Sequence, residues 1–408
     1  MSKTSSIETP SVKTQSRTDW ALVITALAGG VVAALFVGKV PPALPAIRAD
    51  LGLSLVAGGF VVSMFSGLGM MLAAAVGTLA DRLGRRRLVT AGFSCLVLGG
   101  FLGAMAGGLP ALLVSRFLEG VGFIAVGTAL PAVVVAAALP PDRPLAISLW
   151  SLYTPGGMTL AILVAPLVLT ASDWRMLWLA ITAVAAVAGL AVVRAMRRIE
   201  MPAPPPGRPA TVIRETLAHP PLLMLALCFG AYALNWVSLM VWLPTFLSDA
   251  FDAGLGRASV FTALVVMANL PGILLGGWLV KRGAGVLSLV ALASLTMMLC
   301  IAGIFPDVLP PAARLGLCVL FSLAGGLIPA ALFNAVPRHA RSAGHLAAAN
   351  GMLMQGSALG QFIGAPIVAA SVSAAGGAWT GGILPMTVAA AVSFAAGWAL
   401  SRQPVTAA

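Results

Sequence analysis

Twelve apolar stretches follow one another along the chain, at about 20–40, 53–77, 87–107, 109–131, 145–170, 174–194, 222–247, 258–280, 285–305, 312–336, 345–371 and 377–400. Each is close to the roughly 20 residues that a helix needs to cross the hydrocarbon of a bilayer. With no water in that layer, every backbone N–H and C=O must be paired inside the element that spans it, and runs of this length pair as helices. The predicted fold is an all-α membrane protein of twelve transmembrane helices. Composition excludes the alternatives. Only 9% of residues are charged and 60% are hydrophobic, against about a quarter charged in a soluble domain. Cys95, Cys228, Cys300 and Cys318 lie in apolar stretches at spacings that suit neither a zinc site nor a redox pair. They read as small buried hydrophobes.

A net charge of +12 on a soluble protein would suggest nucleic acid, but here topology accounts for it. With the N-terminus in the cytoplasm, 18 of the 24 Lys and Arg residues fall in cytoplasmic segments, including Arg85 to Arg87, Arg143, Arg194, Lys281, Arg282 and Arg338. The opposite side holds Arg48, Arg175, Arg257 and Arg314 among the acids Asp50, Asp173, Asp249, Asp252 and Asp307. This bias places both termini in the cytoplasm of a bacterial inner-membrane protein that has the lipid bilayer, and no nucleic acid, as partner. Residues 1–19 form a polar tail that does not read as a signal peptide. The proline-rich, basic stretch 195–221 is a cytoplasmic linker between a six-span bundle at 20–194 and another at 222–400, followed by a short tail at 401–408.

The two halves are related. Leu44-Pro45 and Asp50 match Leu243-Pro244 and Asp249; Gly77, Leu79 and Arg82 match Gly277, Leu279 and Arg282. Arg116 and Pro131 match Arg314 and Pro329, and Gly156 and Ala165-Pro166 match Gly356 and Ala365-Pro366. Four such matches in order, at offsets of 198 to 200 residues, indicate duplicated architecture. Two pseudo-symmetric bundles facing one another suit alternating access to a site between them.

Residues 77–87 read Gly-Thr-Leu-Ala-Asp-Arg-Leu-Gly-Arg-Arg-Arg, between the second and third spans. This stretch resembles the signature loop of the major facilitator superfamily. The resemblance implies the major facilitator fold and a cytoplasmic latch formed by Asp81 and Arg85, with Gly77, Arg82 and Gly84 as the rest of the gating loop. The copy in the second half, Gly277 to Gly283, has Lys281 in place of the acid. Arg116-Phe-Leu-Glu119-Gly120-Val-Gly122 in the fourth span is similar to a second element of the family, Arg-x-x-x-Gly-x-Gly. An Arg within a span costs roughly 3 kcal/mol or more and faces a partner or a watery cavity. Glu119, three residues on, shares its helix face. It is the one acid within these spans and the proton-coupling candidate. The fifth span departs from the family's antiporter signature. It carries Pro155-Gly156-Gly157 with no spaced glycines ahead.

In that family spans one, four, seven and ten line the cavity most closely, with two, five, eight and eleven beside them. The polar and aromatic residues on such spans are Arg116, Tyr153, Tyr232, Asn235, Trp236, Asn269, Asn334, Gln355 and Gln361, with Lys39 at the outer end of span one. Arg116 and Lys39 against one acid favour an anionic or neutral polar solute over a cation. The expected protein is a monomeric secondary transporter of a small anionic or polar organic solute, coupled to protons, without a cofactor and not an enzyme. A multidrug/proton antiporter is the alternative. Copper import is weaker: 17 methionines offer soft ligands, yet no Met-x-x-x-Met pair lies in any span.

Overall fold

In the computed structural model, residues 17–72, 84–198, 214–339 and 345–401 are described. Among the described residues twelve helices are long and apolar enough to cross a membrane: α1 (Trp20–Leu51), α2 (Leu55–Leu72), α3 (Arg85–Ala104), α4 (Leu109–Ala137), α5 (Leu145–Ala171), α6 (Trp174–Ala195), α7 (Pro220–Phe251), α8 (Leu255–Lys281), α9 (Val286–Ile304), α10 (Pro311–His339), α11 (Ala348–Ala374) and α12 (Trp379–Leu400). The chain is a multi-pass membrane protein. Leu167, Val187, Leu274 and Leu384 are each at least 70% exposed, as expected of a surface that meets acyl chains instead of water.

Packing repeats every six helices. In the first half α1 lies on α4, α5 and α6, and α3 lies on α4 and α6; in the second α7 lies on α10, α11 and α12, and α9 on α10 and α12. Between the halves, α2 packs on α11 and α5 on α8. The second segment of α1, Val40–Leu51, also packs on α7, at the end away from the basic loops. At the basic end, by contrast, Phe333 and Asn334 near the end of α10 are exposed, although α10 is packed among α7, α8 and α9.

Three helices are interrupted, each for a local reason. In α1 a helix over Trp20–Gly38 gives way at Lys39 to a second over Val40–Leu51. Pro41 and Pro42 have no N–H, so the carbonyls of Val37 and Gly38 lose their usual donors. In α2 a 3-10 turn at Met64–Ser66 follows the α-helix Leu55–Ser63. In α5 the chain turns at Ser151 and Leu152, between helices Arg143–Trp150 and Tyr153–Ala171.

Two expectations change. The first span does not end near residue 40 but continues to Leu51, which moves Lys39 from a helix end to mid-helix, with no exposed surface. Lys39 therefore cannot reach the headgroups. The matched arginines are not structural equivalents either. Arg116 lies two turns into α4, whereas Arg314 lies in the first turn of α10 and donates to the carbonyls of Ile304 and Phe305 and to Asp307. Of the signature loop, Gly77, Asp81 and Arg82 lie outside the described residues. Gly84 caps α3 with φ of 82°, a left-handed conformation that glycine adopts without strain, and Arg85 opens that helix.

Candidate functional site

Charge is buried in the middle of the first half. Lys39 Nζ lies 2.8 Å from Glu119 Oε1, and Arg116 Nη1 pairs with Glu119 Oε2. All three side chains are at most 1% exposed. Among the described residues Glu119 is the one buried acid. Arg116 also donates through Nη1 to the carbonyl of Phe36 in α1 (3.0 Å) and through Nε to that of Val61 in α2 (3.1 Å). Aromatic faces complete the setting. The Lys39 ammonium sits 4.0 Å from the Trp178 ring centroid and 4.3 Å from that of Phe36, and the Arg116 guanidinium 4.6 Å from that of Phe65. Five helices, α1, α2, α3, α4 and α6, meet here, because Gly99 of α3 backs directly onto Glu119.

Electrostatics makes this cluster unusual. With all three groups ionised it carries one net positive charge, and with one proton fewer it is neutral. Charge so deep in a bilayer is costly unless paired. Here each carboxylate oxygen faces one cation, which leaves the excess charge for π faces and backbone carbonyls to offset.

The second half holds a neutral polar cluster. Asn269 Nδ2 of α8 donates to Tyr232 OH of α7 (3.2 Å) and to the Ser322 carbonyl of α10 (2.8 Å). Trp236 Nε1 donates to Ser322 Oγ at 3.1 Å. Tyr232 stacks on Phe229, which meets Phe333 edge to face. Asn235 is buried with its amide nitrogen on its own helix, at Ala231, and its oxygen without a partner.

The sequence-predicted residues thus fall into separate groups. Lys39, Arg116 and Glu119 come together in one cluster, and Tyr232, Trp236 and Asn269 in another. Tyr153 stacks on Trp150 and faces Phe123 within the first half. Gln355 and Gln361 lie in the seam between α11 and α2. Gln355 donates to the carbonyls of Met70 and Met71, while Gln361 bonds Ser63 and Ser66. Asn334 is exposed and bonds the Ala330 carbonyl of its own helix. Sequence reasoning missed Ser322, the hub of the second cluster, and Trp178, the ring under Lys39. Neither carries a signal in a chain rich in apolar helices. No group of three His, Cys, Asp or Glu side chains suited to a metal occurs among the described residues.

Two facing six-helix bundles with polar clusters inside them define a polytopic membrane transporter. The chain belongs to the Major Facilitator Superfamily, whose model matches residues 26–365. The family and the matched homologues are transporters and not enzymes. The chain is 34% identical over 113 residues to the fatty acid resistance protein FarB of Neisseria gonorrhoeae, a stretch that is 27% of this chain and 22% of FarB. It is 24% identical over 221 residues to NiaP of Bacillus subtilis, a protein assigned provisionally to niacin/nicotinamide transport; that match spans 50% of this chain and 52% of NiaP. The chain thus spans little more than half of one curated relative and less than a quarter of the other. Among solved structures, a bacterial homologue of the human lysosomal transporter Spinster, inward-facing and unoccupied, superposes with a TM-score of 0.73 at 15% identity, over 94% of this chain and 97% of the other. A mutant of the nucleoside transporter NupG does so with 0.76 at 14%, over 93% and 98%. At these identities the likeness is one of fold.

Proposed function

We propose that this transporter moves a small anionic or polar organic solute across the bacterial inner membrane as a monomer. It works by alternating access, with the coupling proton held by the Lys39–Glu119 pair beside Arg116. The observation that carries the reading is the three-charge cluster: fully buried, it sets two cations against a single carboxylate, so that one proton more or less changes its net charge between one and zero. In so close a pair the proton belongs to the pair and to neither residue alone. Solute would be held by Tyr232, Trp236 and Asn269 from the second half and by Tyr153 from the first. Lys39 and Arg116 tilt the field between the halves toward anions.

The basic loops support an orientation with both termini in the cytoplasm. On that orientation the α1–α7 contact lies at the outer end, and Phe333 and Asn334 are exposed near the cytoplasmic end. Asp81 and Arg85, with Gly77, Arg82 and Gly84, would latch the cytoplasmic end in one state of the cycle. Export of lipophilic compounds in exchange for protons is the second reading, favoured by the likeness to FarB.

The test is a thermal-shift screen of purified protein against small organic acids, vitamins and lipophilic cations, since a ligand raises stability by mass action. The hit is then tested for flux into proteoliposomes under an imposed pH gradient. An acid that wild type accumulates and Glu119→Gln does not is the expected result. Accumulation undiminished in that variant would remove the cluster from coupling, and a shift with lipophilic cations alone would turn the assignment to export.

A further inference from the structure

In the middle of α2 the buried charge cluster and the seam between the halves are one residue apart. The 3-10 turn at Met64–Ser66 follows Val61 and Ser63 and contains Phe65 and Ser66. On one side Arg116 Nε holds the carbonyl of Val61 at 3.1 Å, and Gly120 of α4 lets the Phe65 backbone rest directly on it. On the other side Ser63 Oγ donates to the main-chain carbonyl of Gln361 at 3.2 Å, and Ser66 Oγ to its side-chain oxygen at 3.1 Å. Gln361 Nε2 in turn donates to Ser357 Oγ at 3.2 Å, so both ends of its amide are engaged. Phe60 and Phe362 meet edge to face across the same seam.

Over these three residues the helix departs from α geometry. In a continuous α-helix the N–H of Phe65 would donate to Val61, the carbonyl that Arg116 occupies here. A mid-helix 3-10 stretch marks a hinge or a sequence under strain. Three residues passing from 3-10 to α geometry rotate the remainder of the helix by about 60° and shorten it by about 1.5 Å. Such a change would carry Ser66 away from Gln361.

We infer that Gln361 is a positioning residue for coupling: its side chain reads, through Ser66, whether Arg116 holds the Val61 carbonyl, and so transmits the protonation state of the buried cluster to the α2–α11 seam. The charged groups facing Glu119 are Lys39 from α1 and Arg116 from its own helix; α2, α3 and α6 present a carbonyl, Gly99 and an indole. A change of proton count therefore falls on the Arg116 hydrogen bonds. This inference rests on the proton-coupled reading above.

Both are tested by pulsed EPR distances between spin labels at positions 143 and 281, exposed residues of opposite halves at the basic end, in a cysteine-free background between pH 5 and 8.5. Wild type should change its distance distribution with pH, and Lys39→Met/Glu119→Gln, which removes both members of the pair, should not. Gln361→Ala should flatten the pH response or move its midpoint by a unit or more. Ser66→Ala, a milder change from the other side, should do the same, and the double variant should add nothing further, as members of one path do. A Gln361→Ala or Ser66→Ala protein that keeps the wild-type pH response overturns the relay and leaves proton coupling standing. A wild type without any pH response, or a Lys39→Met/Glu119→Gln variant that retains the wild-type one, overturns both.

Discussion

Lys39 Nζ and Glu119 Oε1 stand 2.8 Å apart with neither side chain exposed, though 80 residues separate them in the chain. The pair joins the break in α1 to the middle of α4, and Arg116 ties both to α2. Removing one member of a buried ion pair strands the other, at a cost of about 3–5 kcal/mol. Glu119→Gln, which strands two cations, should therefore lower the melting temperature in detergent more than Lys39→Met does. The double variant Lys39→Met/Glu119→Gln should recover part of the loss. Equal effects in both single variants and simple additivity in the double would show that the pair does not form.

Proton coupling gives a separate outcome for Lys39. Lys39→Met removes one of the two groups that share the proposed proton and leaves Arg116 and Glu119 as an ion pair. Accumulation driven by a pH gradient should fall to the level seen without a gradient, measured as solute flux into proteoliposomes. Accumulation that still tracks the gradient would place the coupling proton elsewhere.

How far the sequence could be read depends on the range of each interaction. Twelve spans, the six-and-six division and the Arg116–Glu119 pair are local or periodic, and helical spacing alone puts residues 116 and 119 on one face. Lys39 was legible as a charge but not as a partner of Glu119. Lys39-Val-Pro-Pro reads as a helix end, yet these prolines open the second segment of a helix that continues to Leu51. Gln355 and Gln361 read as cavity amides because buried amides need partners. Their partners are serines and carbonyls of α2, some 290 residues earlier, and no spacing rule reaches that far. Ser322 offered no signal, since half of its role is played by a backbone carbonyl.

That division of labour at Ser322 can be tested. Its hydroxyl accepts from Trp236 and its carbonyl from Asn269. Ser322→Ala removes only the first bond, worth about 1 kcal/mol. Asn269→Ala leaves the Tyr232 hydroxyl and the carbonyl without their donor, at a cost of about 1–3 kcal/mol. Asn269→Ala should thus lower the melting temperature clearly more than Ser322→Ala does. The reverse order would mean that Trp236 and not Asn269 sets the geometry of the cluster.

Glycine positions separate packing from propensity most sharply. A Cβ on Gly120 would collide with the backbone carbonyl of Phe65, and one on Gly157 with that of Val31. Neither neighbour can give way without moving a whole helix, because backbone does not change rotamer. One on Gly156, next in sequence to Gly157, would meet nothing within 4 Å. Glycine inside a helix costs about 0.5–1 kcal/mol relative to alanine. Gly156→Ala should accordingly hold or raise the melting temperature, whereas Gly157→Ala and Gly120→Ala should lower it sharply and reduce the yield of folded protein. Size-exclusion profiles and thermal melts of the three variants decide the matter. A Gly120→Ala protein as stable as wild type would show that α2 does not rest on α4 at the 3-10 turn, and with that the path from Arg116 to Gln361 would lose its support.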